Sequence, residues 1–143
     1  MEGRGWKEFL VSPGFDLATV KCAREKGILM IPGALTPAEI IAAWNAGSDL
    51  VEISPVGRLA AQSTSRPLQG PLLRVPVTAT GGVNLDTAAD FILAWAEALG
   101  VDGELVSAAA LKSDKTHEIT DAAQQFAAIV REARGRSATV PSA

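Results

Sequence analysis

Short apolar runs, each closed by proline or glycine, alternate along this chain with longer stretches that are only half apolar. The runs are FLVSPG (9–14), ILMIPGA (28–34), LVEISP (50–55), RVPVTATGG (74–82) and ALGVDGELV (98–106). Their starts lie roughly 20 to 25 residues apart, the length of one strand plus one crossover helix. The spacing predicts five strands joined by helices.

The intervening stretches carry helix punctuation. Asp16 is a cap for DLATVKCAREKG, with Leu17, Val20 and Ala23 at helical spacing and Gly27 at the close. TPAEIIAAWNAG repeats that grammar: Thr36 caps, Pro37 suits the first turn, Glu39 completes a capping box and Gly47 ends the helix. Asn84 is the expected cap of NLDTAADFILAWAEALG. A last helix over 118–134 places Ile119, Ala122, Phe126 and Ile129 on one face. The reading is a single α/β domain over 1–134, followed by a frayed tail at 135–143. Between Pro55 and Gly70, Ser63, Thr64 and Ser65 indicate a loop with at most a short helix.

Strands that are apolar throughout belong to a parallel sheet covered by helices. Strict alternation of strand and helix leaves two architectures open, a doubly wound sheet or a (β/α)8 barrel. Both gather function at the carboxyl ends of the strands. Here those ends are Ser12-Pro13-Gly14, Ile31-Pro32-Gly33, Glu52 to Pro55, Thr80-Gly81-Gly82 and Asp102-Gly103. Glu52 is out of character in its strand, because burying a carboxylate costs free energy unless it meets water, a partner or a ligand.

Composition narrows the class. The 143 residues are 48% apolar and carry a net charge of −3, which argues against a nucleic-acid or membrane-surface binder. No apolar run has the length of a membrane span, and MEGRGWKEF lacks a signal peptide's apolar core, so the expected address is the cytoplasm. The single cysteine, Cys22, excludes an internal disulfide and a cysteine-based zinc site, and its helical, half-buried setting is that of an inert thiol. His117, the only histidine, reads as a solvated residue at a helix start, with no second histidine to complete a ligand set. Trp44 and Trp95 read as core or interface residues on helices. The expectation is no metal and no cofactor.

VSPG, LMIPGALTPAEIIAAWNAG, TGGVNLDTAADFI and ALGVDGELV, in this order and spacing, resemble the KDPG/KHG aldolases from about Phe9 to Arg134. The combination of IPG-x-x-TP-x-E-I with TGG-V-N is specific; TGG alone is not. The resemblance implies a TIM-type barrel, here a partial one of about five parallel strands corresponding to the last five βα units. It also implies a class I lyase that cleaves 2-keto-3-deoxy-6-phosphogluconate or 4-hydroxy-2-oxoglutarate to pyruvate and an aldehyde. The implied partners are a keto acid or phosphorylated sugar acid and further copies of the chain, as a trimer. Pro13, Pro32, Thr80, Gly81, Gly82 and Gly103 are the implied substrate- and phosphate-binding positions.

Three departures qualify that resemblance. Ungapped counting from Gly47 and from Pro55 puts the family's Schiff-base lysine at Glu52, and a carboxylate cannot condense with a ketone. Lys7, Lys21, Lys26, Lys112 and Lys115 all lie away from strand ends. Asp102 stands where the family has glycine in the second phosphate turn; a carboxylate about 5 Å from a phosphate dianion costs roughly 1–3 kcal/mol. Ala60 and Ala61 replace a glycine pair, Ser54 an aromatic and Ala79 a proline. Finally, the resemblance begins at the barrel's fourth strand, leaving unmatched the segment that carries the proton-transfer glutamate, a carboxylate-binding arginine and a threonine-bearing strand. Five strands present two sheet edges, so association through those edges is expected. The chain by itself is expected to be inactive; the alternative is a non-catalytic pseudoenzyme subunit that associates with itself or with an intact aldolase and keeps residual sugar-acid or phosphate binding. A second reading makes Glu52 a base for another substrate, with Glu52, Asp102 and Glu104 as scattered carboxylates for a divalent cation.

Overall fold

The computed structural model describes residues 9–56, 74–113 and 115–137. In chain order the elements are β1 (Phe9–Ser12), α1 (Leu17–Glu25), β2 (Leu29–Ala34), α2 (Pro37–Asn45), β3 (Val51–Ile53), β4 (Val77–Thr80), α3 (Ala88–Ala94), β5 (Ala98–Gly100), α4 (Ala108–Lys112) and α5 (Thr116–Ser137). The five strands form one parallel sheet in the order β1-β2-β3-β4-β5, curled into half a barrel with helices outside. Of the two architectures the alternation allows, this is the barrel.

Local sequence fixes the first two helices. The Asp16 carboxylate accepts from Thr19 N at 2.7 Å, and Gly27 takes a φ of 65° just past the end of α1. At α2 the capping box is complete: Thr36 Oγ1 accepts from Glu39 N at 3.3 Å, and Glu39 Oε2 accepts from Thr36 N at 2.8 Å. Gly47 follows at φ 91°, a left-handed conformation that glycine adopts without steric cost.

Alternation along the strands sorts side chains between two faces. Val51, Ile53, Val77 and Ala79 face outward to the helices and join Ile40, Ala43, Ala88, Phe91 and Phe126 in the main core. A smaller cluster of Val20, Ala23 and Met30 seats α1 on β2. Glu52, Thr78 and Thr80 fall on the opposite, inner face of the curl.

Several expectations are revised. Asn84 organises a turn rather than capping α3: its Oδ1 accepts from Asp86 N and Thr87 N, both at 3.0 Å, and the helix begins at Ala88. The fifth strand stops at Gly100, because Asp102 O takes up the N–H groups of Leu105 and Val106 and turns the chain. The short helix α4, capped by Ser107, falls where no helix was expected. The last helix continues three residues beyond 134, to Ser137. Cys22 is exposed rather than half-buried, since it lies off the Val20–Ala23 stripe of α1. Leu17 is exposed at the same helix's first turn; Trp44 is exposed too, which removes the core reading and leaves the interface one, whereas Trp95 meets Phe91 in a T-shaped contact with 6.0 Å between centroids. The serine-rich stretch at 63–65, the alanine pair at 60–61 and Lys7 lie outside the described residues.

Candidate functional site

Glu52 is the only charged side chain buried among the described residues, at 9% exposure. Its position follows from strand register: it pairs with Gly33 on β2 and with Thr78 on β4. The Thr80 hydroxyl donates to Glu52 Oε1 at 2.8 Å across the β3–β4 boundary. Thr78 is committed elsewhere, its hydroxyl donating to Ala98 O at 3.1 Å. Among the described residues no lysine, arginine or histidine is ion-paired with Glu52; the two ion pairs are Lys115–Glu118 and Arg136–Glu132, both on the surface.

Two glycines hold this arrangement. Gly100 pairs with Thr80, and a Cβ at Gly100 would strike the Thr80 methyl group. Glycine at 100 therefore lets the threonine seat its methyl on β5 while its hydroxyl bonds to Glu52. A Cβ at Gly33 would strike the Pro13 carbonyl, which crosses β2 beside Glu52's register partner.

The other candidate positions distribute around this point. Thr80, Gly81 and Gly82 form the turn leaving β4, with φ of 73° at Gly81 and 95° at Gly82. Gly81 has Pro55 Cα 3.1 Å from where its Cβ would be, so the turns after β3 and β4 lie against each other. Pro13 is exposed in the turn after β1. Pro32 is buried inside β2 on the same face as Met30 and Ala34, opposite Gly33, so the strand does not bring it onto Glu52's face. At Gly103, the Asp102 carboxylate accepts the glycine's own N–H at 2.6 Å. That hydrogen bond, with the Asp102 carbonyl engaging Leu105 N and Val106 N, turns three donors of the β5 turn inward.

Lys21 lies on α1, Lys26 at its C-cap, Lys112 on α4 and Lys115 at the start of α5. Among the described residues no lysine stands at the carboxyl end of a strand. His117 is exposed on α5, and no group of three or more His, Cys, Asp or Glu side chains is disposed to hold a metal among the described residues. Among them, too, no helix is long and apolar enough to cross a membrane. The Thr80 hydroxyl bond and the Gly100 contact escaped the sequence reading. Their signal is present only once register puts Thr80 between Glu52 and Gly100.

A parallel β/α half-barrel with a polar, buried side chain on its inner face and glycine turns at the carboxyl ends of its strands defines a barrel fold of the aldolase type. The chain belongs to the KDPG and KHG aldolase family, whose sequence profile matches residues 4–122. It is 29% identical over 124 residues to a 2-dehydro-3-deoxy-phosphogluconate aldolase of Treponema pallidum (strain Nichols), covering 86% of this chain and 59% of that protein. It is 30% identical over 122 residues to the protein of the same name from Dickeya dadantii (strain 3937), covering 85% of this chain and 57% of the other. The chain thus spans somewhat under three fifths of the length of these curated relatives. A solved structure described as native KDPGal superposes with a TM-score of 0.79 at 23% identity, over 90% of this chain and 60% of that one, a likeness of fold.

Proposed function

We propose that this chain, by itself, is a member of the aldolase family that does not capture a keto acid as an imine. The activity named for its relatives cleaves a phosphorylated 2-keto-3-deoxy sugar acid, and by resemblance the chemistry runs through a lysine imine to release pyruvate. The observation that carries the reading is Glu52: at the position counted as the lysine's, a buried carboxyl is bonded to Thr80, and the described lysines all lie elsewhere. A carboxylate has no nitrogen with which to expel the carbonyl oxygen as water. What persists is a pocket mouth for a keto acid or phosphorylated sugar acid at Thr80, Gly81 and Gly82. Gly103 contributes little to anion binding, since its N–H is already taken by Asp102. Incubation with pyruvate and borohydride, followed by intact-mass measurement, is expected to leave the polypeptide mass unchanged. A stable reduced adduct on any side chain would refute the reading.

A second reading, that the chain works as an assembling subunit, is favoured by apolar surface exposed on β1 and beside β5 among the described residues. Every apolar residue of β1 is exposed, with Phe9 at 55%, Leu10 at 40% and Val11 at 51%. At the opposite edge a cavity of about 660 Å³ lies between β5 and α5, lined by Leu99, Val101, Leu105, Phe126 and Val130, with Arg131 and Arg134 among the residues around it. Both are surfaces that another copy of the sheet would cover. Sedimentation at micromolar concentration is expected to show an oligomer; a strictly monomeric species would end this reading.

A further inference from the structure

We propose that the Glu52–Thr80 pair forms a binding point for a primary ammonium group on a small molecule, in place of the carbonyl that the family's chemistry addresses. The site is built from one buried carboxyl group, 9% exposed, with Thr80 Oγ1 donating to its Oε1 at 2.8 Å. Its second oxygen, Oε2, accepts no hydrogen bond from the described residues. Strand alternation puts Glu52 on the inner face of the curl, with one acceptor oxygen not engaged by the described residues. No described cation neutralises the group. A carboxylate so placed costs free energy until a donor of opposite charge arrives.

The chemistry of the surroundings selects the occupant. A hard divalent cation takes six or more oxygen ligands, and among the described residues no group of three or more His, Cys, Asp or Glu side chains is disposed to hold one. An ammonium brings three donors and a single positive charge, which one carboxylate can match. Gly33, the register partner of Glu52, presents no side chain, and the Pro13 carbonyl lies where one would have been. That carbonyl adds an uncharged acceptor to the same face. Thr80 is the positioning residue: its methyl group is seated against Gly100, which orients its hydroxyl toward Oε1.

This proposal rests on the reading of Glu52 as a group that forms no imine. The two fail separately: borohydride trapping tests imine formation alone, and the titration below tests only what the carboxylate binds. The full chain, labelled with 15N, is titrated with L-alanine, with pyruvate, which carries a ketone where alanine carries an ammonium, with ethanolamine, which lacks the carboxylate, and with Mg2+. L-Alanine and ethanolamine are expected to give saturable shifts of the Gly33, Ser54, Thr80 and Gly81 amides with Kd of about 1 mM, and pyruvate none of comparable affinity. Glu52→Gln, which keeps the shape and can still accept from Thr80, is expected to weaken ammonium binding by about tenfold to a hundredfold. Thr80→Val, which frees the carboxylate to rotate, is expected to weaken it by a smaller factor while leaving the spectrum that of a folded protein. Binding of L-alanine and ethanolamine that survives in Glu52→Gln, preference for pyruvate, saturation by Mg2+ alone, or no saturable shift with either amine would each overturn the proposal.

Discussion

Thr80 stands between an acid and a glycine, and that placement makes the site sensitive to a single added carbon. In Gly100→Ala the new methyl group overlaps the Thr80 methyl, so the threonine must leave its rotamer and release Glu52. A loss of about 1–3 kcal/mol in unfolding free energy is expected, typical of overpacking, and chemical denaturation measures it. Restoring space with the double variant Gly100→Ala, Thr80→Ser should recover most of the loss. Glu52→Lys tests the same position from its chemistry. It returns an amine whose burial lowers its pKa and keeps part of it neutral. A borohydride-trapped pyruvate adduct confined to this variant is the expected result, checked by intact mass and peptide mapping. At this scale the sequence showed half the story. A glutamate inside an apolar strand is visible in a seven-residue window. Its partner lies 28 residues away and is named only by strand register.

Elements whose signals are local were legible to within a residue or two. The capping box of α2 needs only Thr36, Pro37 and Glu39 in the right order, and it forms as written. It also predicts an acid-sensitive helix start. Backbone hydrogen bonds from Leu35 and then Thr36, followed by the Thr36 hydroxyl, hold the Glu39 carboxyl below the ordinary glutamate range. A depressed folded-state pKa contributes stability that is fully present above the unfolded value and is lost as pH falls through the folded one. Thermal melts are therefore expected to drop as pH is lowered below about 4, and Glu39→Gln should reduce that dependence. Thr36→Ala, which removes the cap oxygen, is expected to destabilise the chain by about 1 kcal/mol at neutral pH. Elements with weak local signals went unread. Helix α4 has only five residues and one capping serine, and β5 ends early because Asp102 turns the backbone, an event no apolar count reveals. Asn84 misled because the same side-chain bonds serve an Asx turn as well as a helix cap.

For the whole molecule, five apolar runs at regular spacing foretold the parallel sheet, while its curl and strand order came from the family resemblance and the fold itself. The inner face and the two edges set the remaining prediction. Val11→Lys places a charge on the uncovered β1 strand, a device by which natural sheets refuse further pairing. It should lower the sedimentation coefficient toward that of a 14.8 kDa monomer without loss of helical circular dichroism. An unchanged coefficient would exclude β1 from the contact.

Among the described residues the two outer strands of this sheet are not alike, since β1 carries exposed apolar side chains and β5 is shadowed by α5 with its cavity. Joining them is a head-to-tail union, and such unions either close after a whole number of subunits or run on without end. The bend stored in each set of five strands decides which. A rotation that divides a full circle yields a ring with its Glu52 groups turned toward a common axis; any other yields a fibre whose length rises with concentration.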